Sequence, residues 1–136
     1  MINISTVDIQ KYIVSILKTN GIDKVFEFNI PRKISTGTKV FAFTRMSNIR
    51  TRGQFQFEAF GECFVYINIY VKALSDMELD SKTFKEYETK MRNLMVSNNV
   101  STDEHYTISE SVVGSTFVDE QRGYHVLQTT LKITIK

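Results

Sequence analysis

Gly123-Tyr-His-Val-Leu-Gln-Thr-Thr-Leu-Lys-Ile-Thr-Ile-Lys136 reads as a strand in two-residue steps. Leu127, Leu131, Ile133 and Ile135 fall on one face. Tyr124, Gln128, Thr130, Lys132 and Thr134 fall on the other, the alternation of a strand with one side on a core and one toward solvent. Residues 63–72 carry the same period more strongly, with Val65, Ile67, Ile69 and Val71 on one face. Phe64, Tyr66, Asn68 and Tyr70 lie opposite, so both faces offer apolar surface. Such a strand belongs inside a sheet that is covered on both sides. It is expected to run antiparallel to the C-terminal strand or to that strand's neighbour, with Ile67 and Leu131 fully buried.

Two segments switch to the helical period. Residues 6–19 place Ile9, Ile13, Ile16 and Leu17 on one stripe, with Ser5 or Thr6 as the cap and Asp8 in the first turn. Lys18 suits the negative end of the helix dipole, and Asn20-Gly21 supplies the stop. A second helix is expected over residues 80–97, capped by Asp80 or Ser81, with Phe84, Tyr87, Met91, Leu94 and Met95 inward. Glu86 and Lys90 form an i,i+4 pair on its outer side, and Asn98-Asn99 closes it.

Further strands are expected at residues 24–30, ended by Pro31, and at 39–46, 54–60 and 106–113. A loop over residues 114–122 precedes the last strand, and Gly61 marks a bend or bulge. The order is α-β-β-β-β-α-β-β. It predicts an α+β fold: one domain spanning residues 1–136, a mainly antiparallel sheet, and two amphipathic helices packed on one face.

Length and composition agree with this. A chain of 136 residues with 42% hydrophobic and 24% charged residues can bury a core and lies outside the disordered range. The net charge of +2 gives no general attraction to polyanions. Cys63 is the only cysteine, which excludes an intrachain disulfide and a cysteine-based zinc site. The first residues lack the basic and apolar regions of a signal peptide, and no apolar run approaches a membrane span. A reducing compartment is expected.

Chemistry-bearing residues are few. Cys63 opens an apolar strand and reads as a buried structural thiol rather than a nucleophile. His105 and His125 lack the spacing of paired metal ligands. Asp76, Glu78 and Asp80 precede a helix, where acids are favoured electrostatically. The six glycines are scattered turn residues, not a phosphate loop. No catalytic residue, metal or cofactor is assigned, and the chain is expected not to be an enzyme.

The segment Arg45-Met-Ser-Asn-Ile-Arg50-Thr-Arg52-Gly-Gln-Phe-Gln-Phe57 is richer. Arg50 and Arg52 followed by Phe55 and Phe57 suit stacking of single-stranded nucleic acid. Glu58 and Glu62 follow at once, however, and the chain as a whole is weakly basic. Arginine and exposed phenylalanine also mark protein interfaces. The preferred reading is a hairpin reaching a neighbouring subunit through Arg45, Arg50, Arg52, Phe55, Phe57 and Phe60. Asp119 and Glu120, in the loop before the last strand, are the candidate carboxylate partners.

Three features together resemble the tail-terminator and tail-completion (neck) proteins of tailed bacteriophages: the capped first helix, the strand Phe64-Val-Tyr-Ile-Asn-Ile-Tyr-Val-Lys72, and an acidic turn leading into Phe84-Lys-Glu-Tyr87 and Met91-Arg-Asn-Leu94. The closing strand Tyr124-His-Val-Leu-Gln-Thr-Thr-Leu-Lys-Ile-Thr-Ile135 extends the resemblance over nearly the whole chain. It rests on element order and size rather than on signature residues. It implies a structural virion protein that forms a ring, usually a hexamer, at the neck or tail terminus. The ring would end tail-tube assembly and join tail to head, with the tail tube protein and head-completion or portal-adaptor proteins as partners. It implies no membrane contact, and nucleic acid only as DNA passing through the ring. The protein would be assembled in the bacterial cytoplasm and carried in the virion. The alternatives are a single-stranded nucleic-acid binding module and a small cytoplasmic α+β protein or enzyme.

Overall fold

A computed structural model describes residues 5–27, 29–35, 37–47, 49–52, 60–93 and 106–135. The elements are α1 (Thr6–Thr19), β1 (Val25–Glu27), β2 (Val40–Met46), β3 (Arg50–Arg52), β4 (Phe60–Lys72), α2 (Ser81–Arg92), β5 (Tyr106–Asp119) and β6 (Tyr124–Ile135). The six strands form one sheet in the order β1-β2-β4-β6-β5, with β3 beside β4. The fold is α+β, and its sheet is antiparallel except for one pair.

Local chemistry sets both helices. Ser5 caps α1 reciprocally: its hydroxyl accepts from the Asp8 N–H at 3.3 Å, and the Asp8 carboxylate accepts from the Ser5 N–H at 3.0 Å. Ile9, Ile13, Ile16 and Leu17 are buried, as the stripe predicts. Asp80 caps α2, accepting from the Thr83 N–H at 3.3 Å. The expected Glu86–Lys90 pair forms at 3.3 Å. The helix ends at Arg92 with Asn93 as its cap, short of the expected 97. The Asn93 N–H takes up the Thr89 and Lys90 carbonyls at 3.2 Å, which satisfies two groups the last turn leaves open. Leu94, Met95 and the Asn98-Asn99 stop lie outside the described residues. The Lys90 ammonium donates to the Asn20 carbonyl at 2.9 Å, tying α2 to the end of α1.

Both helices cover one sheet face. Ile9, Ile13 and Leu17 from α1, with Phe84 and Met91 from α2, pack on Val65, Ile67, Ile69, Val71, Leu127, Leu131, Ile133 and Ile135. Ile67 and Leu131 are both 0% exposed, as their strand phase predicts. β4 and β6 pair antiparallel over twelve positions, from Gly61↔Ile135 to Lys72↔Tyr124.

The other face is covered at one end only. There Phe41 stacks on Tyr70 at 4.4 Å between ring centroids, and Tyr124 meets Phe41 edge-on at 5.0 Å. Val126 completes this second core, and Phe26, Ile30 and Ile34 pack against it. The Tyr124 hydroxyl donates to the Thr38 carbonyl at 2.7 Å, which pins the β1–β2 connection onto the sheet. Sequence periodicity puts Tyr124 on the polar face. The face is right, but the connection covers it. Away from that end, Phe64, Tyr66 and Asn68 are only half-buried, so β4 is not covered on both sides as expected.

Three strand expectations are corrected. β1 is three residues long and runs parallel to β2. The dozen residues between them let the chain cross back before pairing, which a parallel neighbour requires. The strand expected at 54–60 is instead β3 at Arg50–Arg52, opposite Glu62, Gly61 and Phe60. Residues 54–59 lie outside the description, and Phe60 opens β4. Gly61 is no bulge, because it pairs in register on both sides. The irregularity falls before β3: pairing shifts by one between Met46↔Val65 and Arg50↔Glu62. Ser47 holds the junction, its N–H on the Phe64 carbonyl and its hydroxyl on the Phe64 N–H, both at 2.9 Å.

The expected loop at 114–122 is the third correction, because β5 runs through it to Asp119. Thr116, Phe117 and Val118 favour extended backbone and pair with β6. Two register shifts, between Ile108 and Glu110 and between Val113 and Thr116, take up the extra length of β5. Gly114 sits inside the second shift. The real turn is residues 120–123, closed by Gly123 at φ 78 and its N–H on the Asp119 carbonyl at 2.9 Å.

Candidate assembly surface

The strand order leaves β5 at one edge of the sheet. Among the described residues it pairs only with β6, so its outer row of N–H and C=O groups faces away from the sheet. A long edge of this kind is a template for another strand. β5 also carries three of the six exposed large hydrophobic residues among those described: Val112 at 58%, Phe117 at 44% and Val118 at 46% exposure. Sequence reading missed this edge because it ended the strand at Val113 and placed a loop beyond it.

The opposite edge is formed by β1 for three residues only, opposite Ala42, Phe43 and Thr44. Beyond Thr44 no described strand lies outside β2 and β3. This open stretch carries the predicted Arg45, Arg50 and Arg52. Arg45 is exposed, and its guanidinium lies 5.3 Å from the centroid of the Tyr66 ring on the open sheet face. Arg50 and Arg52 take the register positions opposite Glu62 and Phe60. Phe55 and Phe57 lie outside the described residues.

The predicted acidic partners lie elsewhere. Asp119 ends β5 at the far end of the sheet, where its carboxylate accepts from the Arg122 guanidinium at 2.8 Å. That carboxylate already has a cation within its own turn, and Glu120 is the exposed next residue. The structure does not bring Asp119 or Glu120 near Arg50 and Arg52 within one chain. They lie at opposite ends of the β4–β6 ladder.

Cys63 faces the helices, 1% exposed, and burial pushes its thiol up to about 11. His125 is eight positions away along the paired strands, opposite Val71, which at strand rise is about 27 Å. Its Nε2 hydrogen donates to the Met77 carbonyl at 2.9 Å, holding down a turn in which Asp76 and Met77 both have left-handed backbone, φ 57 and 60. Cys63 and His125 therefore form no nucleophile pair. His105 lies outside the described residues. Among the described residues, no group of three His, Cys, Asp or Glu side chains converges on a metal position.

Two shallow grooves flank the β1–β2 connection. The one near Arg32, Lys33, Lys72, Arg122 and Tyr124 holds about 410 Å³ and is basic. No carboxylate or imidazole lines it, so it offers no acid–base pair. A polar inclusion interrupts the main core, where the Thr44 hydroxyl donates to Gln10 Oε1 at 2.9 Å beneath α1. No described helix is long and apolar enough to cross a membrane.

No family model matches the chain, and no curated protein does. Among solved structures, one whose name states no function is 10% identical. The match covers 93% of this chain and 95% of that one, with a TM-score of 0.53. It supports the fold alone.

Proposed function

We propose that this protein is a structural, non-enzymatic subunit of a tailed-phage virion. It forms a ring, hexameric by analogy with the family it resembles, at the tail terminus or neck. There it ends tail-tube growth and joins the tail to head-completion or portal-adaptor proteins, with DNA passing through the lumen. The observation that carries this reading is the element order over the whole chain. A capped helix, a long central strand, an acidic turn, a second helix and a long closing hairpin make one sheet with both helices on one face. That is the architecture the resemblance implies. The two uncapped sheet edges support it further, because a ring subunit needs two different lateral surfaces.

The test is electron microscopy of particles made by a phage whose copy of this protein is truncated early. Heads and tails are expected to accumulate unjoined, with joining restored by the protein supplied in trans. Normal joined virions without the protein would overturn the proposal. Retarded migration of single-stranded oligonucleotides that weakens steeply with salt would favour the nucleic-acid reading instead.

A further inference from the structure

We infer that the lower half of the β5 edge, residues 106–113, pairs with the open β2–β3 edge, residues 45–52, of a second copy of this chain. The inference does not depend on where the assembly works. A failed edge contact leaves the neck reading standing, and a virion without the protein leaves the edge contact standing.

Strand direction carries the first part of the argument. β3, β4, β6 and β5 alternate in direction across the sheet, so the two edges run oppositely. Any head-to-tail repeat of the molecule in one orientation therefore brings β5 against the next copy's β3 as an antiparallel pair. This is the better-bonded geometry and needs no inversion of the neighbour.

Charge carries the second. β5 contains Glu110 and Asp119 and no basic residue, while residues 40–52 contain Arg45, Arg50 and Arg52 and no acidic one. Asp119 is engaged by Arg122, which leaves Glu110 as the acidic position along the edge. The register fixes its height. Glu110 is opposite Lys132, Lys132 is opposite Phe64, and Phe64 bonds Ser47. A neighbour at the same height therefore sets Glu110 between Arg45 and Arg50. Val112 lies in the row of Thr130, Tyr66 and Arg45, so its exposed apolar surface meets the stem of the next copy's Arg45. A symmetric β5–β5 contact would instead bring two acidic strands together, at a cost.

Curvature carries the third. The two register shifts in β5 bend the edge and increase its twist. A bent edge limits pairing to a short window and turns each copy relative to the last, which suits a closed ring over a flat sheet.

The test uses the full chain and its mass in solution by sedimentation. Glu110→Arg alone sets basic against basic, and Arg45→Glu with Arg50→Glu sets acidic against acidic. Each is expected to lose the assembly while keeping the wild-type circular dichroism spectrum. An equal mixture of the two makes every contact complementary again, so assembly is expected to return. Retained assembly of the Arg45→Glu, Arg50→Glu chain would overturn the inference, as would no recovery on mixing. A wild-type chain that stays a 15.7 kDa monomer at every soluble concentration would overturn it as well.

A second measurement stands if the charge variants fold poorly. A Val112→Cys chain mixed with an Arg45→Cys chain is oxidised gently. The mixed disulfide is expected to dominate, and predominance of the Val112→Cys homodimer would assign a symmetric β5 contact instead.

Discussion

Cys63 sits beneath the helices on β4, opposite Ile133, and burial alone raises its thiol to about 11. At about pH 7.5 that leaves roughly one thiol in three thousand ionised, and the thiolate is the reactive form. We expect native protein to resist a maleimide or dithiobis-type reagent at neutral pH and to label fully once unfolded. Labelling of the folded chain at the rate of a free thiol would show that Cys63 is accessible. The sequence shows this residue plainly, because a lone cysteine opening an apolar strand has one simple place to go. Tyr124 is harder to read. Its neighbours Gln128 and Thr130 mark its face as polar, yet it is 5% exposed and hydrogen-bonded to Thr38, 86 residues away in sequence. No local pattern carries a contact of that range. Its energetic weight is that of a buried hydrogen bond whose loss strands a carbonyl, about 1 to 3 kcal/mol. The same applies to Gln10. Its position on the helix is clear, but Thr44, its partner beneath the helix, is fixed only when the sheet forms.

Among the elements, the helices are the most legible. Caps are local, and Ser5-Thr-Val-Asp8 closes a reciprocal hydrogen-bonded box within four residues. The box has a pH signature. Hydrogen bonds from Ser5, the backbone N–H first and then the hydroxyl, hold the Asp8 carboxyl below its ordinary 3.8. A depressed folded value means that the stabilisation is present above 3.8 and is lost as pH falls through the folded value. We therefore expect Asp8→Asn to lower the melting temperature at neutral pH. The gap between the two proteins should then close in strong acid, where both side chains are uncharged. A gap of the same size at about pH 2 and pH 7 would mean that the box contributes nothing through charge. Strands are less legible at their ends. The extension of β5 past Val113 depends on bulges that absorb Gly114, and a glycine followed by Ser-Thr reads locally as a turn. The parallel β1–β2 pair is invisible for a related reason. Its direction is set by a crossing connection whose covering residues, Ile30 and Ile34, are recognisable only against the second core.

At the scale of the whole molecule, periodicity alone yields the fold class, the central strand, its β6 partner and the placement of both helices on one face. It does not yield the edges. Which strand ends up outermost depends on the order in which non-adjacent strands pair, and β5 reaches the edge because β6 inserts between it and β4. The candidate interface shows the same division. Arg45, Arg50 and Arg52 stand out in the sequence as a basic segment, whereas their proposed counterpart Glu110 emerges only from the register. The acidic residues chosen from the sequence, Asp119 and Glu120, lie at the other end of the sheet. A subunit with one acidic and one basic open edge, running in opposite directions, is suited to joining copies of itself head to tail. Residue-resolved hydrogen exchange of the full chain, at low and at high concentration, tests this most directly. The edge contact predicts that exchange slows with concentration at residues 106–113 and 45–52, as their outward amides find partners, while α1, α2 and β6 stay unchanged. Unchanged exchange along β5 over a concentration range in which the mass rises would contradict it.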